Sequence, residues 1–380
     1  MAIDVKRLVD AIQKKEHAVT SSTSTQDMID ILKAAKKLQG SVINSYADSS
    51  YLPDPLTTNE RIAYLEDTKV IRLNNGIWDD PTGGVETIAT YSFQGTVSGY
   101  SAGGDTGSNV IDKFSLSSDA NASDVGDLLT VRGQSGAGQT SLTHGHITGG
   151  TVSSPSVNVN TIEKYTFSVD QNATDVGDMT VARRYIAGQS SSSNGYSSGG
   201  FISLVTNVVD KFPFAADGNA TDVGDLTQAR YGPTGQSSST HGYSSGGDDY
   251  TPVTNTIDKF PFAADANATD VGNLTIIAHT SAGQSSTTHG YSSGGLPAPS
   301  RGTVIDKFSF SADGNATDVG DLTRTASQVA GQSSTTHGYS SGGVPGPQNT
   351  IDKFSFTSDG NATDVGDLTV ARSNAAGSQS

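Results

Sequence analysis

The chain has 380 residues, no cysteine and a formal net charge of −16. This length is sufficient for one large or two smaller domains with a core, and the lack of cysteine excludes thiol nucleophiles and thiolate metal sites. Residues 1–80 hold 10 basic and 12 acidic groups, so the excess acid lies in residues 81–380, which argues against a nucleic-acid partner because phosphate binding needs clustered Lys and Arg.

Residues 1–40 carry two apolar stripes at helical spacing, which predict two short amphipathic helices. Ser24 is positioned to cap the second helix and Gly40 to follow its end. Since two short helices cannot bury their stripes alone, we expect residues 1–40 to be an assembly anchor. Charges interrupt every apolar run near the N-terminus, so we expect neither a secretory signal nor membrane insertion. The stripes are Val5, Leu8, Val9 and Ile12, then Met28, Ile31, Leu32, Ala35 and Leu38.

Residues 41–84 are predicted to be a linker and a small β module. The phrase "RIAYLEDTKVIRLNNGIWDD" at 61–80 indicates two short strands and an Asn75-Gly76 turn into a third.

Residues 85–380 are built on one repeat, marked by an Ile/Val-acidic-Lys-aromatic tetrad and a glycine doublet. Each marker occurs six times, which predicts six units of about 48 residues. The tetrads begin at Ile111, Ile162, Val209, Ile257, Ile305 and Ile351, and the doublets end at Gly104, Gly150, Gly200, Gly247, Gly295 and Gly343.

Each unit is predicted to contain four short strands, as in "AGQSSTTHG", "GYSSGG", "NTIDKFSF" and "DVGDLTVAR". Alternation along the third strand places Ile257 on one face and Phe260 and Phe262 on the other. A strand that is apolar on both faces is typical of a propeller blade between two neighbours. The order of these phrases resembles the kelch repeat, whose units are β-propeller blades, although the Trp usual before the fourth strand is replaced here by "TDVG". The predicted fold is therefore mainly β: a six-bladed kelch-like propeller at 85–380, preceded by a small helical and β-hairpin anchor.

Two segments compete for the strand that closes this ring. The terminal "NAAGSQS" is a degenerate copy of the first-strand phrase "AGQSS", so we predict that it supplies the innermost strand of the first blade. The alternative is Glu86–Phe93, "ETIATYSF", which resembles a third-strand phrase.

Three short motifs resemble virion appendage proteins of marine tailed phages, in the order expected. They are the N-terminal "MAIDVKRLVDAIQKK", the module that ends in "NNGIW", and the repeat "DGNATDVGDLTVAR". The resemblance implies a structural protein of the virion surface, such as a tail fibre, with residues 1–80 bound to other virion proteins. It also implies a homo-oligomer, for which a trimer is favoured over a dimer or docking into a larger ring.

Several repeated polar residues are candidate ligand sites. His144, His241, His289 and His337 occupy one repeat position, so they are expected to form a ring, with turn hydrogen bonding favoured over metal binding. The turn "DGNATDVGD" offers oxygen ligands suited to calcium, but Asx-turn geometry explains the same residues. We therefore expect no metal and no cofactor.

Binding residues are sought in the loops that differ most between units, because specificity usually resides in variable loops on a repeated frame. The tyrosines within the repeated strand phrases, such as Tyr243, are expected to belong to the core. The candidate ligand-binding residues in the loops are Phe201, Asp248, Asp249, Tyr250 and Arg301.

The resulting interpretation is a virion appendage protein, on the particle surface, that displays a propeller for recognition of a host glycan or protein. One alternative is a glycan-depolymerising or sialidase-like propeller enzyme. It is disfavoured because no catalytic carboxylate pair, arginine cluster or Tyr–Glu nucleophile can be assembled from the sequence. The other is a bacterial adhesion or scaffold module.

The acidic and Lys residues of each tetrad, such as Asp258 and Lys259, are assigned to bridges between neighbouring blades.

Overall fold

The computed structural model describes residues 44–46, 62–65, 70–74, 78–79, 94–105, 108–134, 136–153, 156–250, 254–296 and 302–380. In these ranges the structure is strand, turn and loop, and no helix has the length and apolarity to cross a bilayer. The chain divides into two compact units, Met1–Thr90 and Tyr91–Ser380. The helices expected in 1–40 lie outside the described residues.

The described residues of the first unit form a four-stranded sheet. Its first two strands are parallel and the others pair antiparallel in chain order. The three strands predicted within 61–80 are therefore present, whereas the Asn75-Gly76 turn lies outside the described residues. The strands are Asn44–Tyr46, Ile62–Leu65, Val70–Asn74 and Trp78–Asp79.

The second unit contains six four-stranded antiparallel sheets among its described residues, numbered here as sheets 1 to 6 in the chain order of their third strands. The first strands of sheets 2 to 6 and then sheet 1 are Ala137–Thr140, Ala187–Ser190, Thr234–Ser237, Ala282–Ser285, Ala330–Ser333 and Ala376–Gln379. The second strands of sheets 1 to 6 are Ser98–Ala102, His144–Thr148, Asn194–Ser198, His241–Ser245, His289–Ser293 and His337–Ser341. The third strands are Val110–Ser115, Thr161–Thr166, Val208–Pro213, Thr256–Pro261, Val304–Ser309 and Gln348–Ser355. The fourth strands are Ser123–Asp127, Thr174–Asp178, Thr221–Asp225, Thr269–Asn273, Thr317–Asp321 and Thr363–Arg372. A small three-stranded sheet is formed by Arg132–Gly133, Thr151–Ser153 and Ser156–Asn158.

The sheets follow one another around a common axis, in a propeller-like arrangement. Each first strand contacts the first strands of the two neighbouring sheets, and the series returns from sheet 6 to sheet 1. The first strand of sheet 1 is Ala376–Gln379, which pairs antiparallel with Ser98–Ala102. The prediction that the C-terminal tail closes the first sheet is thus confirmed, while the competing Glu86–Phe93 lies outside the described residues.

The hydrophobic core lies between neighbouring sheets. In sheet 4, Ile257 packs against Phe308 of sheet 5, whereas Phe260 packs against Tyr196 of sheet 3. The predicted two-faced burial of the third strand is therefore confirmed. Tyr243 is 2% exposed and also packs against Phe308, so the repeat tyrosines belong to the core as expected.

The axis is narrow because glycines from successive first strands touch. A Cβ atom added at Gly283 would lie 2.1 Å from the carbonyl oxygen of Gly235, so no larger residue fits there without movement. The glutamine that follows each of these glycines in sheets 2 to 6 reaches the next sheet. Gln236 Nε2, for example, donates to the carbonyl oxygen of Tyr291 at 3.0 Å. The repeated "GQ" thus sets the spacing of the sheets around the axis.

Two sets of ion pairs join each sheet to the next. On the surface, the tetrad lysine reaches an aspartate in the following sheet, as in Lys259 Nζ to Asp313 Oδ1 at 2.5 Å. In the interior, an arginine in the link after the fourth strand pairs with the acidic tetrad residue of the following sheet, as in Arg230 Nη2 to Asp258 Oδ2 at 2.9 Å. The proposed bridging role of the tetrad is therefore observed. Sheets 4 and 5 differ, because Ala278 and Ala326 occupy the arginine position. In sheet 5, Arg324 Nε lies 4.0 Å from Asp352 Oδ2 of sheet 6 instead.

Candidate functional site

The two ends of the ring carry different kinds of residue. One end, called the variable end, carries the loops between second and third strands and the links into the next first strand. The opposite end, called the histidine end, carries the turns between first and second strands and between third and fourth strands. Gln94 lies at the histidine end, where its Nε2 donates to the carbonyl oxygen of Ser285 at 3.1 Å.

The four candidate ring histidines lie at the histidine end, each tied to its own turn. The Nδ1 atom of each ring lies 2.7 to 2.8 Å from the hydroxyl of the preceding threonine. Burial lowers the pKa of His144, His241, His289 and His337, and the neighbouring tetrad lysine lowers it further. Across the described ranges, no three His, Asp or Glu side chains converge in a way that would hold a metal ion.

The Asp/Asn turns at the same end direct their oxygens to protein donors. In sheet 3, Asp217 Oδ1 accepts from Lys164 at 2.5 Å, and Asn219 Oδ1 accepts from the Asp178 amide at 3.1 Å. Asp222 Oδ1 accepts from the Gly224 amide at 3.2 Å. These contacts join the turn to itself and to the preceding sheet, which accounts for the acidic turn in structural terms.

The variable end carries a group of contacting aromatic rings, called here the aromatic cluster. The ring centroids of neighbouring members are separated by 5.3 to 6.3 Å, the spacing of directly packed aromatic pairs. The members come from the loops and links of sheets 2, 3 and 4. They are Tyr185, Phe201, Tyr231, Tyr250 and His279.

Asp248 joins three parts of this cluster through its carboxylate. Its Oδ2 accepts a hydrogen bond from the Tyr231 hydroxyl at 2.8 Å and lies 3.9 Å from His279 Nε2. Its Oδ1 accepts from the Tyr250 amide at 2.6 Å. Burial, together with this hydrogen bond to Asp248, raises the pKa of Tyr231, so the phenol stays protonated. Burial lowers the pKa of His279 and Asp248 opposes that shift.

Arg184 supports the other side of the cluster. Its guanidinium carbon lies 4.8 Å from the Phe201 ring centroid and 5.7 Å from that of Tyr185, a cation–π geometry. Its Nη1 donates to Asn158 Oδ1 at 3.2 Å. Asn158 Nδ2 in turn donates to the Phe201 carbonyl oxygen at 3.1 Å. The loops of sheets 2 and 3 are thereby fixed to each other.

Apolar side chains at the variable end are open to solvent. Tyr250 is 58% exposed, and Ile202 and Leu204 of the neighbouring loop are 39% and 73% exposed. Tyr250 also has a φ of 74°, in the left-handed region that non-glycine residues rarely adopt. Such strain persists only where the surroundings impose it, and it is concentrated at functional sites.

Of the five predicted loop residues, Phe201, Asp248 and Tyr250 are brought together in or beside this cluster. Asp249 is adjacent and accepts a hydrogen bond from Gln228 Nε2. Arg301 lies outside the described residues.

The prediction missed four participants, Arg184, Tyr185, Tyr231 and His279. All four lie one or two residues after the arginine position in the link that follows the fourth strand, which is occupied by Arg183, Arg230 and Ala278 in sheets 2, 3 and 4. These two positions vary between units that are otherwise near-identical, and that variation is the signal that would have identified them.

A scan against protein-family models finds no match to this chain, and a search of curated proteins finds none either.

Proposed function

We propose that the chain is a fibre-type structural appendage protein of a virion, whose second unit is a six-bladed kelch-like propeller that recognises the host surface. The observation that carries this proposal is the distribution of sequence variation. The strands and the turns of the histidine end are nearly identical from unit to unit, whereas the loops and links of the variable end differ between units, and Ile202, Leu204 and Tyr250 are exposed there. A rigid repeated frame with one variable face is an arrangement suited to binding.

The remaining assignments follow from this role. Residues 1–80 attach the protein to other virion proteins, and the amphipathic stripes of 1–40 make it a homo-oligomer, with a trimer favoured. The acidic composition is consistent with a partner other than nucleic acid.

The test is adsorption of the labelled full-length protein to a panel of marine bacteria. A triple variant, Ile202→Ser, Leu204→Ser and Tyr250→Ser, removes three exposed apolar groups of the variable end. We expect it to lose cell binding while its thermal midpoint stays within a few degrees of wild type, because these side chains are on the surface. His241→Asn is the matched control at the opposite end, since sheet 3 carries Asn194 at that position. Equal adsorption of the triple variant and wild type would refute recognition by this end.

The alternative function, a sialidase-like or depolymerising enzyme, has one observation in its favour, the Tyr231 hydroxyl bound to Asp248 at 2.8 Å. A nucleophilic tyrosine needs a lowered pKa or an adjacent general base, yet burial raises the pKa of Tyr231. Arg184, the basic residue that contacts the cluster, is already bound to Asn158. Release of new reducing ends from host polysaccharide, abolished by Tyr231→Phe, would establish the enzyme and displace the binding role.

A further inference from the structure

The exposed ring of Tyr250 is the part of the aromatic cluster available to a ligand. Tyrosines of the repeated strand phrase, such as Tyr243, are buried, whereas Tyr250 is 58% exposed. Its backbone is held in the left-handed region by the bond from its amide to Asp248 Oδ1. The side chain is therefore presented outward from a constrained position, and not as one member of a flexible loop tip.

The packing of the cluster excludes one familiar class of ligand. Tyr250 lies 5.3 Å from Tyr231 and 6.2 Å from Phe201, measured between ring centroids. These rings touch one another, so no gap remains between their faces for a quaternary ammonium group, which an aromatic cage would need to surround. What remains is a one-sided aromatic platform, suited to a flat apolar face of a ligand.

The polar groups beside the platform favour hydroxyl donors. The Asp248 carboxylate accepts a hydrogen bond from the Tyr250 amide, and Asp249 precedes Tyr250 in the loop. A carboxylate can accept about four hydrogen bonds, and the bonds from Tyr231 and Tyr250 leave Asp248 with capacity for more. Two carboxylates on an acidic chain repel an anionic ligand, and Arg184 is already engaged with Asn158 and Phe201.

We propose that Tyr250 and Asp248 form a binding subsite for a neutral pyranose residue of a glycan. The apolar C–H face of the sugar stacks on the Tyr250 ring, and a sugar hydroxyl donates to the Asp248 carboxylate. This inference rests on the proposed role of the variable end in host recognition and specifies the chemistry of the ligand. An aromatic face combined with a few fixed polar groups is the usual composition of a small-ligand site.

The experiment is saturation-transfer difference NMR on the full-length protein with three neutral probes: the methyl pyranosides of glucose, galactose and mannose. We expect at least one to bind in the millimolar range, with saturation strongest on the hydrogens of one sugar face. Tyr250→Ala should weaken that binding roughly tenfold, and Tyr250→Phe, which keeps the ring, should retain it. Leu142→Ala is the matched control, because it removes a 61% exposed apolar side chain at the histidine end without removing a ring.

Three results would overturn the subsite. They are absence of binding by all three pyranosides, equal binding by Tyr250→Ala and wild type, and stronger Tyr250-dependent binding of N-acetylneuraminic acid or tetramethylammonium than of any neutral sugar. Cell adsorption separates this failure from failure of the proposed function. If Tyr250→Ala still adsorbs to host cells and the triple variant does not, the variable end recognises the host by other chemistry.

Discussion

The buried acidic residues of sheets 4 and 5 provide a matched test of what holds the ring together. Asp258 accepts from the Thr227 amide at 2.9 Å and from its hydroxyl at 2.6 Å, and pairs with Arg230. Asp306 makes the same two bonds to Thr275, at 2.9 and 2.5 Å, but the arginine is replaced by alanine. Substitution of each aspartate by asparagine therefore separates the ion pair from the threonine contacts.

Asp258→Asn should be far more destabilising than Asp306→Asn. The side chains of Arg230 and Asp258 are both 0% exposed, so removal of the carboxylate leaves a buried guanidinium without its counter-charge. Burial lowers the pKa of Arg230, and Asp258 is the largest opposing influence. Breaking such a pair costs about 3–5 kcal/mol of unfolding free energy. Asp306→Asn keeps one side-chain oxygen to accept from Thr275 and leaves no buried cation unpaired. We therefore expect the unfolding free energy to change by about 1 kcal/mol or less.

Burial of Asp306 also makes the unfolding free energy of the protein depend on pH. Burial raises its pKa above the ordinary value of 3.8, because no cation offsets the cost of ionisation. The folded state therefore holds its proton more tightly than the unfolded state. The stability that Asp306 contributes is fully present below pH 3.8 and is lost as the pH rises through the folded pKa. Asp306→Asn should remove that decline.

The measurement is urea unfolding at pH 7 and at pH 3.5, followed by tyrosine fluorescence and near-UV circular dichroism. Equal losses of unfolding free energy for Asp258→Asn and Asp306→Asn at pH 7 would refute the reasoning, since the ion pair would then contribute nothing beyond the threonine bonds. The same would follow if Asp306→Asn were the more destabilising of the two.

Three further predictions concern the rest of the ring. Burial lowers the pKa of His146 to about 3, so just below pH 6.5 the unfolded state takes up a proton that the folded state does not. Between pH 7 and pH 5, the unfolding free energy of the wild type should therefore fall by about 2 kcal/mol more than that of His146→Tyr. Gly283→Ala should destabilise by about 1–3 kcal/mol or more through overpacking at the axis, whereas Gly218→Ala, with no atom within 4 Å of its new Cβ, should stay within about 0.5 kcal/mol in urea titrations. Lys259→Met breaks the surface pair with Asp313 and should cost less than about 1 kcal/mol, an effect that should diminish in high salt.

Much of the fold could be predicted because every repeat carries the same strand pattern, and the C-terminal segment carries the pattern of the first strand that closes the ring. Ile257 and Phe260 are an odd number of residues apart, and this spacing alone assigns them to opposite faces of a strand. The terminal "AGSQ" keeps the small-residue phrase of a first strand, so it could be assigned to the first sheet in advance, and it pairs there with Ser98–Ala102. Where the sequence and the structure share one repeat, the local sequence pattern is enough to assign the strands.

The interior ion pairs could not be predicted in the same way. The sequence places Arg230 and Asp258 at two fixed repeat positions, but it does not show that a fourth strand and the next third strand converge. That distance depends on the angle between neighbouring sheets, which follows from the packing of the glycines at the axis. The exception at Ala278 is visible in the sequence, yet its consequence for Asp306 follows only once the pairing is known.

The candidate site was the least predictable feature, for a reason that applies to any ring of repeats. Its residues come from links and loops of three sheets, so Tyr185, Tyr231 and His279 share no local motif. Periodicity identifies what every unit needs for folding, and a binding site is built from what the units do not share. Loop variation therefore indicated Tyr250 and Asp248. The link positions vary in the same way, but which of them contact these loops became apparent only from the distances between sheets.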